Sequence, residues 1–416
     1  MKVIRNILLV LACLIITIGV FSVIGYELYF RHAEPVLQSQ PDPQSEATDT
    51  QPEETEPTPE PEVQEEEPSP ELLRAGELLA DLTLEQKVYQ LFFATPEALT
   101  GVEAATVAGD ATNEALLQNP VGGLLYSEKN LEDSKQVKAL LSGTQDFLRD
   151  GGKLPAFLAI DEEGGDVAPV ADKLDTTAFE SVAEIGAGED PQAAYAMGEA
   201  IAKELKMLGF NVNIAPIADL AGNDVIDTRA FSDDAAVAAS MVSSAVRGTQ
   251  KNGILSAVLH FPGLGSINDV AHIDRTHIDK TLEEMQAADL QPFAGAIENE
   301  VGFVVVSHAI WRGVDDQHPC SMSSSVMTML REDMGFHGII LTDTLDIPAI
   351  TDRYDPDDAA LNALNAGADM LLCSEDLGEA VEAILKAVES GKLDEARIDE
   401  SVQRILAAKI KLGLLS

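Results

Sequence analysis

The amino-acid sequence predicts an α/β fold in which a single (β/α)8 TIM-type barrel stands behind an N-terminal transmembrane helix and a disordered linker. Two observations lead to the barrel. Eight short apolar runs alternate with helical stretches between residues 71 and 416, and several of these runs end in polar, titratable residues. A doubly wound sheet is the alternative, but a Gly-rich nucleotide loop is missing after its first strand.

The first predicted element is a membrane anchor in residues 1–32. Residues 6–25 form an uncharged apolar run that is long enough to cross the roughly 30 Å hydrocarbon layer as a helix. Lys2 and Arg5 precede this run, so the positive-inside rule puts the N-terminus in the cytoplasm. A cleaved signal peptide and a lipoprotein processed before Cys13 are the competing interpretations. We expect a single-pass protein of the cell membrane with an extracytoplasmic barrel.

The second predicted element is a linker in residues 33–70. It holds twelve acidic residues, no Lys or Arg, and nine of the chain's 20 prolines. Such a segment cannot bury enough apolar surface to offset its conformational entropy, and its like charges extend it. We therefore expect a disordered spacer between the membrane and the barrel.

Residues 71–416 form the predicted barrel domain, which is itself acidic. It has 24 basic and 58 acidic residues, whereas the whole chain has a net charge of −44. Nucleic-acid binding depends on Lys and Arg that neutralise phosphates, so we expect no nucleic-acid partner. The cysteines, Cys13, Cys320 and Cys373, lie far apart, and no metal-binding spacing is visible, so neither a metal site nor a disulfide framework is predicted.

The predicted strands and helices of the barrel follow from the alternating pattern. The eight strands are expected at residues 91–94, 122–126, 156–160, 211–215, 255–260, 302–307, 338–341 and 368–373. The clearest helical stretches between them are residues 191–208, 234–252, 282–297 and 324–333.

Polar side chains follow five of these strands, at the face where barrel enzymes hold their active sites. They are Asp161, Glu162 and Glu163 after the third strand, Asp219 after the fourth, His260 in the fifth, His308 after the sixth and Asp343 after the seventh. One acid after a strand is often only a helix cap, but several together indicate a polar pocket. Carboxylates and imidazoles without a metal set or a nucleotide loop suit glycoside cleavage, which needs a carboxylate at the anomeric centre and a proton donor.

On these residues the sequence resembles glycoside hydrolase family 3, and in particular its bacterial single-domain β-N-acetylglucosaminidase branch. The resemblance covers roughly residues 74–416. It is carried by LAIDEEGGDV (158–167), VNIAPIADL (212–220), DTRAFSDD (227–234), HFPGLG (260–265), VVVSHAIW (304–311), GFHGIILTDTLDI (335–347) and NAGADMLL (365–372).

The resemblance implies a retaining mechanism that removes terminal β-linked N-acetylglucosamine from cell-wall glycans, as in peptidoglycan turnover, without a cofactor. It implies that Asp343 is the nucleophile and that His272, on a loop after the fifth strand, is the acid/base. The spacing from Pro262 to His272 matches the family pattern. A histidine can give and take a proton near neutrality because its unperturbed pKa is about 6.5.

Further site residues also come from the resemblance. Asp161, Arg229 and His260 match family residues that contact the sugar. His308 follows the sixth strand and either lines the pocket or packs beneath it.

The match breaks at several positions of the expected site. Leu259 replaces a family Lys that binds the sugar, and Val270 replaces the Asp that orients the catalytic His. Other departures are Leu264, Ser266, Asp166 and Pro169. Two alternatives therefore stand beside the hexosaminidase: a glycan-binding or scaffolding pseudoenzyme, and a related enzyme such as a β-glucosidase whose proton donor lies elsewhere.

Overall fold

The computed structural model describes residues 68–265, 267, 276–373 and 377–416. The predicted anchor and almost all of the predicted linker lie outside these ranges. Within them, none of the helices is both long enough and apolar enough to cross a bilayer.

The predicted barrel is confirmed. Eight parallel strands close in the order β1-β10-β9-β7-β5-β4-β3-β2. Their bounds are β1 Phe92–Ala94, β2 Gly123–Leu125, β3 Phe157–Ile160, β4 Val212–Asn213, β5 Leu255–Phe261, β7 Phe303–Val306, β9 Ile339–Thr344 and β10 Met370–Leu372. Each corresponds to one of the eight predicted runs. The pairing of Phe92 with Leu371 joins the first strand to the last and closes the barrel.

A small parallel sheet outside the barrel was not predicted. It joins β6, His277–Ile278, to β8, Ile310–Trp311, with His277 opposite Ile310. Two-residue strands are too short to produce a periodic signal in the sequence.

Helices connect the strands along the described chain. Their bounds are α1 Pro70–Leu79, α2 Leu84–Gln90, α3 Pro96–Thr100, α4 Asp110–Gln118, α5 Ser134–Asp150, α6 Pro169–Lys173, α7 Val182–Gly186, α8 Pro191–Leu208, α9 Ala235–Gln250, α10 Leu282–Ala287, α11 Gln291–Glu298, α12 Ser324–Thr328, α13 Pro348–Thr351, α14 Pro356–Ala366, α15 Leu377–Glu389 and α16 Glu395–Lys411. Short 3₁₀ turns cover Glu128–Asn130 and Cys320–Met322, and a π-helical turn covers Met329–Asp333.

Two predicted helices differ from the observed ones. The single helix expected at 282–297 is divided into α10 and α11, because Pro292 lacks an N–H and cannot continue a preceding helix, but it fits the first turn of a new one. The helix expected at 324–333 begins as α12 and ends in the π-helical turn. The helix expected at 191–208 is confirmed as α8.

Aromatic rings fill the barrel near the amino ends of its strands. The ring centroid of Phe157 lies 5.2 Å from that of Phe303 and 6.0 Å from that of Phe93. Below them, Lys409 of α16 places its Nζ 5.0 Å from the Phe157 ring centroid and donates a 2.6 Å hydrogen bond to Gln90 Oε1. Burial lowers the pKa of Lys409 to about 7. This end of the barrel is thus closed by packed side chains.

A buried ion cluster strengthens the same end. Asp369, which directly precedes β10, accepts hydrogen bonds from Arg331, from Arg404 and from the backbone N–H of Ile340. Arg331 also donates to the carbonyl oxygens of Phe336 and Gly338. The cluster therefore joins β9, β10 and α16 at the amino end of the barrel.

Candidate active site

The opposite end of the barrel brings five predicted site residues close together. Asp161 follows β3, His260 lies in β5 and Asp343 lies in β9, so their side chains emerge where parallel strands end. The charges of Asp343, Arg229 and His260 all act on Asp161. The charge of Asp343 also acts on His308. The predicted acid/base, His272, lies outside the described residues.

Asp161 is held in an environment that disfavours its charge. Burial, and then the negative charges of Glu163 and Asp343, raise the pKa of Asp161 to about 7. Arg229 and His260 act in the opposite direction but do not compensate. Near neutral pH, Asp161 is therefore present both as an acid and as a carboxylate, and it can either donate or accept a hydrogen bond.

Arg229 is fixed by a carboxylate that was not among the predicted site residues. Its Nε lies 2.9 Å from Glu163 Oε2 and its second terminal nitrogen lies 2.5 Å from Glu163 Oε1, which makes the pair bidentate. Glu163 is buried, and its ion pair raises the pKa of Arg229. Because a bidentate pair has a defined plane, the guanidinium is held in one orientation at the edge of the pocket.

The glycine pair after Glu163 turns the chain away from the pocket. Gly164 and Gly165 have φ values of +88° and +60°, a region that residues with a side chain rarely adopt. A Cβ on Gly165 would lie 2.7 Å from Ser181 Cα, so glycine is also required by space.

Glu162, between the two pocket acids, has a different function. Its carboxylate accepts hydrogen bonds from the backbone N–H groups of Val170 and Ala171, at 2.7 and 3.2 Å, and so caps α6. Burial raises the pKa of Glu162 to about 7. For this one acid, the simple interpretation as a helix cap is correct.

His260 is oriented by Asp219, the acid that follows β4. Its Nδ1 lies 2.8 Å from Asp219 Oδ2, and its backbone N–H donates to the same oxygen at 3.1 Å. Burial by itself lowers the pKa of His260, but Asp219, with a smaller contribution from Asp343, raises it above its usual value. The Nε2 of His260 is left for the pocket.

His308 has both ring nitrogens engaged. Nδ1 lies 2.7 Å from Ser321 Oγ, and Nε2 lies 2.8 Å from the carbonyl oxygen of Thr344, next to Asp343. Nε2 must carry the proton because a carbonyl only accepts, and burial lowers the pKa of His308, which favours this neutral form. Of its two predicted roles, the contacts fit packing beneath the pocket and support of the β9 end.

Asp343 is the fifth residue of the six-residue strand β9 and is partly buried. Its Oδ1 accepts a 2.7 Å hydrogen bond from the backbone N–H of Thr344. In the described part of the chain, no group of three or more His, Cys, Asp or Glu side chains is arranged to hold a metal ion.

Two functional candidates, Glu163 and Asp219, were noted in the sequence as polar residues at strand ends, but no binding or catalytic role was predicted for either. Both stand at strand ends that the sequence marked as polar. The sequence signal identified the strand ends but not the partners of the side chains, because a bidentate contact between loops 66 residues apart leaves no local pattern.

Comparisons with known proteins identify the family of the chain. The sequence profile described as "Glycosyl hydrolase family 3 N terminal domain" matches residues 83–408. Beta-hexosaminidase A from Pseudoalteromonas piscicida is 30% identical over 338 residues, which cover 74% of this chain and 56% of that protein. Beta-hexosaminidase from Idiomarina loihiensis is 30% identical over 283 residues, which cover 66% of this chain and 83% of that protein.

A solved structure gives the same result for the fold. The family 3 β-N-acetylglucosaminidase from Paenibacillus sp. strain FPU-7 superposes with a TM-score of 0.75 at 33% identity, over 80% of this chain and 63% of the other. The chain thus spans less than two thirds of the length of two of these three proteins. Since the profile match covers most of the sequence, the protein belongs to glycosyl hydrolase family 3.

Proposed function

We propose that the protein is a retaining glycoside hydrolase that removes terminal β-linked N-acetylglucosamine from glycans of the cell-wall type. The observation that carries the proposal is the pairing of two carboxylates, Asp161 and Asp343, with Arg229 and His260 at the carboxyl ends of the barrel strands. The names of the related hexosaminidases support the substrate class.

Asp343 is the proposed nucleophile. Its carboxylate attacks the anomeric carbon, the glycosidic bond breaks, and the departing oxygen receives a proton from the acid/base. Water then attacks the glycosyl ester, transfers a proton back to the base and releases the carboxylate. We assign the acid/base role to His272 by its sequence position alone.

The other pocket residues would hold the sugar. Asp161, when ionised, accepts hydrogen bonds from ring hydroxyls, and such charge-assisted bonds are worth about 1.5–3 kcal/mol each. Arg229 donates from its fixed guanidinium, and Nε2 of His260 donates when the ring is protonated and accepts when it is neutral. His308 supports the strand end that carries Asp343.

We also propose that the barrel acts outside the cell membrane, on wall glycans within reach of a tethered enzyme. The apolar run at 6–25 supports the anchor, and the acidic composition of residues 33–70 supports the spacer. Fractionation of cells that produce the full chain tests this. Release of the protein from membranes by a high-salt wash, without detergent, would contradict the anchor.

A catalytically impaired glycan-binding protein is the second candidate. It is favoured by Leu259, which is buried where the family has a Lys and so leaves the pocket one cation short. In that case the barrel would bind the same sugar without turning it over.

The deciding experiment compares the full chain in detergent micelles with its Asp343→Asn variant on aryl β-N-acetylglucosaminides and aryl β-glucosides. We expect turnover of the N-acetylglucosaminide and a loss of at least about 10³-fold in kcat for Asp343→Asn, since a nucleophile has no substitute. Asp333→Asn, an exposed acid ten residues upstream, is the matched control and should retain full activity.

Each contrary outcome has a definite meaning. Faster turnover of the glucoside would replace the proposed substrate. Absence of turnover with retained glycan binding would establish the second candidate instead.

A further inference from the structure

We propose that Asp219 is a positioning residue that fixes the His260 imidazole in the Nδ1–H form and joins it to the start of the segment after β5. The kinetic part of this inference rests on the proposed function, whereas its structural part does not. Asp219 is almost fully buried and contacts the ring of His260 directly, while its charge also acts on Arg229.

The contacts of Asp219 carry the inference. The residue is 1% exposed, and both of its carboxylate oxygens are occupied. Oδ2 accepts hydrogen bonds from the ring Nδ1 of His260 at 2.8 Å and from the backbone N–H of the same residue at 3.1 Å. Oδ1 receives the backbone N–H of Leu264 at 2.7 Å. One carboxylate therefore binds the side chain and the backbone on both sides of the turn at Pro262.

The backbone around Asp219 is fixed to the same segment. Ile217 forms a parallel bridge with Leu259, and the N–H of Ala218 donates to the carbonyl oxygen of Leu259 at 2.7 Å. Three residues beyond Asp219, Gly222 approaches Gly265 so closely that a Cβ on Gly222 would lie 2.3 Å from the Gly265 carbonyl oxygen. The loop after β4 is thus hydrogen-bonded to and packed against residues 259–265.

Further contacts extend this support. The side-chain amide of Asn223 donates to the carbonyl oxygen of Leu264 at 2.9 Å. Leu264 is therefore held from both sides, through its N–H by Asp219 and through its carbonyl by Asn223. Such double attachment leaves the carboxylate of Asp219 little freedom to turn away from His260.

The consequence for His260 is a fixed direction of its hydrogen bonds. A carboxylate only accepts, so Nδ1 keeps its proton and Nε2 faces the pocket. A neutral ring then offers the pocket an acceptor, and a protonated ring offers a donor. Besides Asp219, the charged and titratable groups around the ring are Asp161, Asp343, Arg229 and His308.

The Asp219→Asn substitution separates orientation from packing. When the amide oxygen keeps the hydrogen bond from Leu264, the amide nitrogen faces His260, donates to Nδ1 and leaves the backbone N–H of His260 without its acceptor. The neutral ring must then carry its proton on Nε2, and the negative charge that favours the protonated ring is gone. The shape of the site stays nearly the same.

The test measures His260 directly by ¹⁵N and ¹H NMR titration of the full chain in micelles, with the ring signals assigned through His260→Gln. In the wild type we expect the neutral ring to be the Nδ1–H tautomer. In Asp219→Asn we expect the Nε2–H tautomer and a lower pKa of His260. An Nε2–H tautomer in the wild type, or an unchanged titration in the variant, would overturn the inference.

A double-mutant cycle supplies the kinetic readout. Asp219→Asn should lower kcat/KM about 10–100-fold in the wild-type background, as losses of orienting partners do, and by less than about threefold when His260 is already Gln. Equal costs in both backgrounds would show that Asp219 acts through folding and would overturn the positioning role. An inactive wild type would refute the proposed function and leave the NMR test intact.

Discussion

Each end of the barrel holds a carboxylate whose pKa is shifted, and the surroundings of the two are opposite: Asp369 is fully buried, whereas Asp161 is partly exposed. Asp369, at the amino end, lies among Arg331, Arg404 and Arg397. Burial alone would raise the pKa of Asp369, but the three guanidinium groups lower it below its usual value. Asp161, at the carboxyl end, lies beside two further acids, and its pKa is raised to about 7.

The difference shows which of the two acids stabilises the folded chain and which one destabilises it. An acid whose partners are all cationic stabilises the folded chain in its ionised form. An acid placed beside like charges destabilises the folded chain whenever it is ionised, and such placements are typical of functional sites. The two carboxylates should therefore respond in opposite ways to the same substitution.

The largest expected effect is the loss of stability in Asp369→Asn. Removal of one partner from a buried ion cluster typically costs about 3–5 kcal/mol, because the remaining charges are left uncompensated. We expect a strong decrease in Tm at pH 7, measured by differential scanning calorimetry. Because the pKa of Asp369 is lowered on folding, its contribution is present above its unfolded pKa of about 3.9 and is lost as the pH falls further.

The exposed Asp333→Asn is the control for this prediction, and it should change the free energy of unfolding by no more than about 0.5 kcal/mol. An Asp369→Asn variant with the wild-type Tm would show that the ion cluster does not stabilise the amino end, and the contrast between the two ends would then fail.

The next effect concerns activity and depends on the ionisation of Asp161. If ionised Asp161 is the form that binds the sugar, kcat/KM falls about tenfold per pH unit below pH 7. Asp161→Asn should lower kcat/KM at pH 8 by about 10–100-fold, the loss expected for one charge-assisted hydrogen bond. It should also remove the decrease of kcat/KM below about pH 7, which is the acid limb of the pH profile. A limb that persists in Asp161→Asn would assign the titration to another group.

A smaller effect is expected in the stability of the same variant, with the opposite sign to that of Asp369→Asn. The raised pKa of Asp161 makes the folded state progressively less stable as the pH rises from the unfolded pKa of about 3.9 to the folded pKa of about 7, and this destabilisation is complete above pH 7. Asn carries no charge, so Asp161→Asn should be more stable than the wild type by about 1–3 kcal/mol at pH 8 and equally stable at pH 4. Thermal unfolding at the two pH values measures this difference.

The fold could be predicted because it is determined by local patterns. Each apolar run, for example residues 255–260, gave one strand, and the helical stretch predicted at residues 191–208 gave α8. The division at Pro292 was missed because the apolar periodicity continues across it. The sheet of β6 and β8 was missed because two residues carry no period.

The candidate site was predicted only in part, for a different reason. Strand ends identified Asp161, His260 and Asp343, because a barrel brings all its carboxyl ends to one face. The roles of Glu163 and Asp219 are set by contacts between separate loops, which no local pattern encodes. The position of His272 remains a prediction from spacing, since that residue lies outside the described ranges.

The finest comparison is between two adjacent acids, Glu163 and Glu162. Glu163 is the first of the charges that raise the pKa of Asp161, whereas Glu162 caps α6 through the backbone N–H groups of Val170 and Ala171. Glu163→Gln removes a negative charge beside Asp161 and frees Arg229, and both changes lower the pKa of Asp161. The acid limb of kcat/KM should therefore move to lower pH in Glu163→Gln and stay in place in Glu162→Gln. A limb that moves equally in both variants would mean that general loosening of the loop, and not the charge of Glu163, sets the ionisation of Asp161.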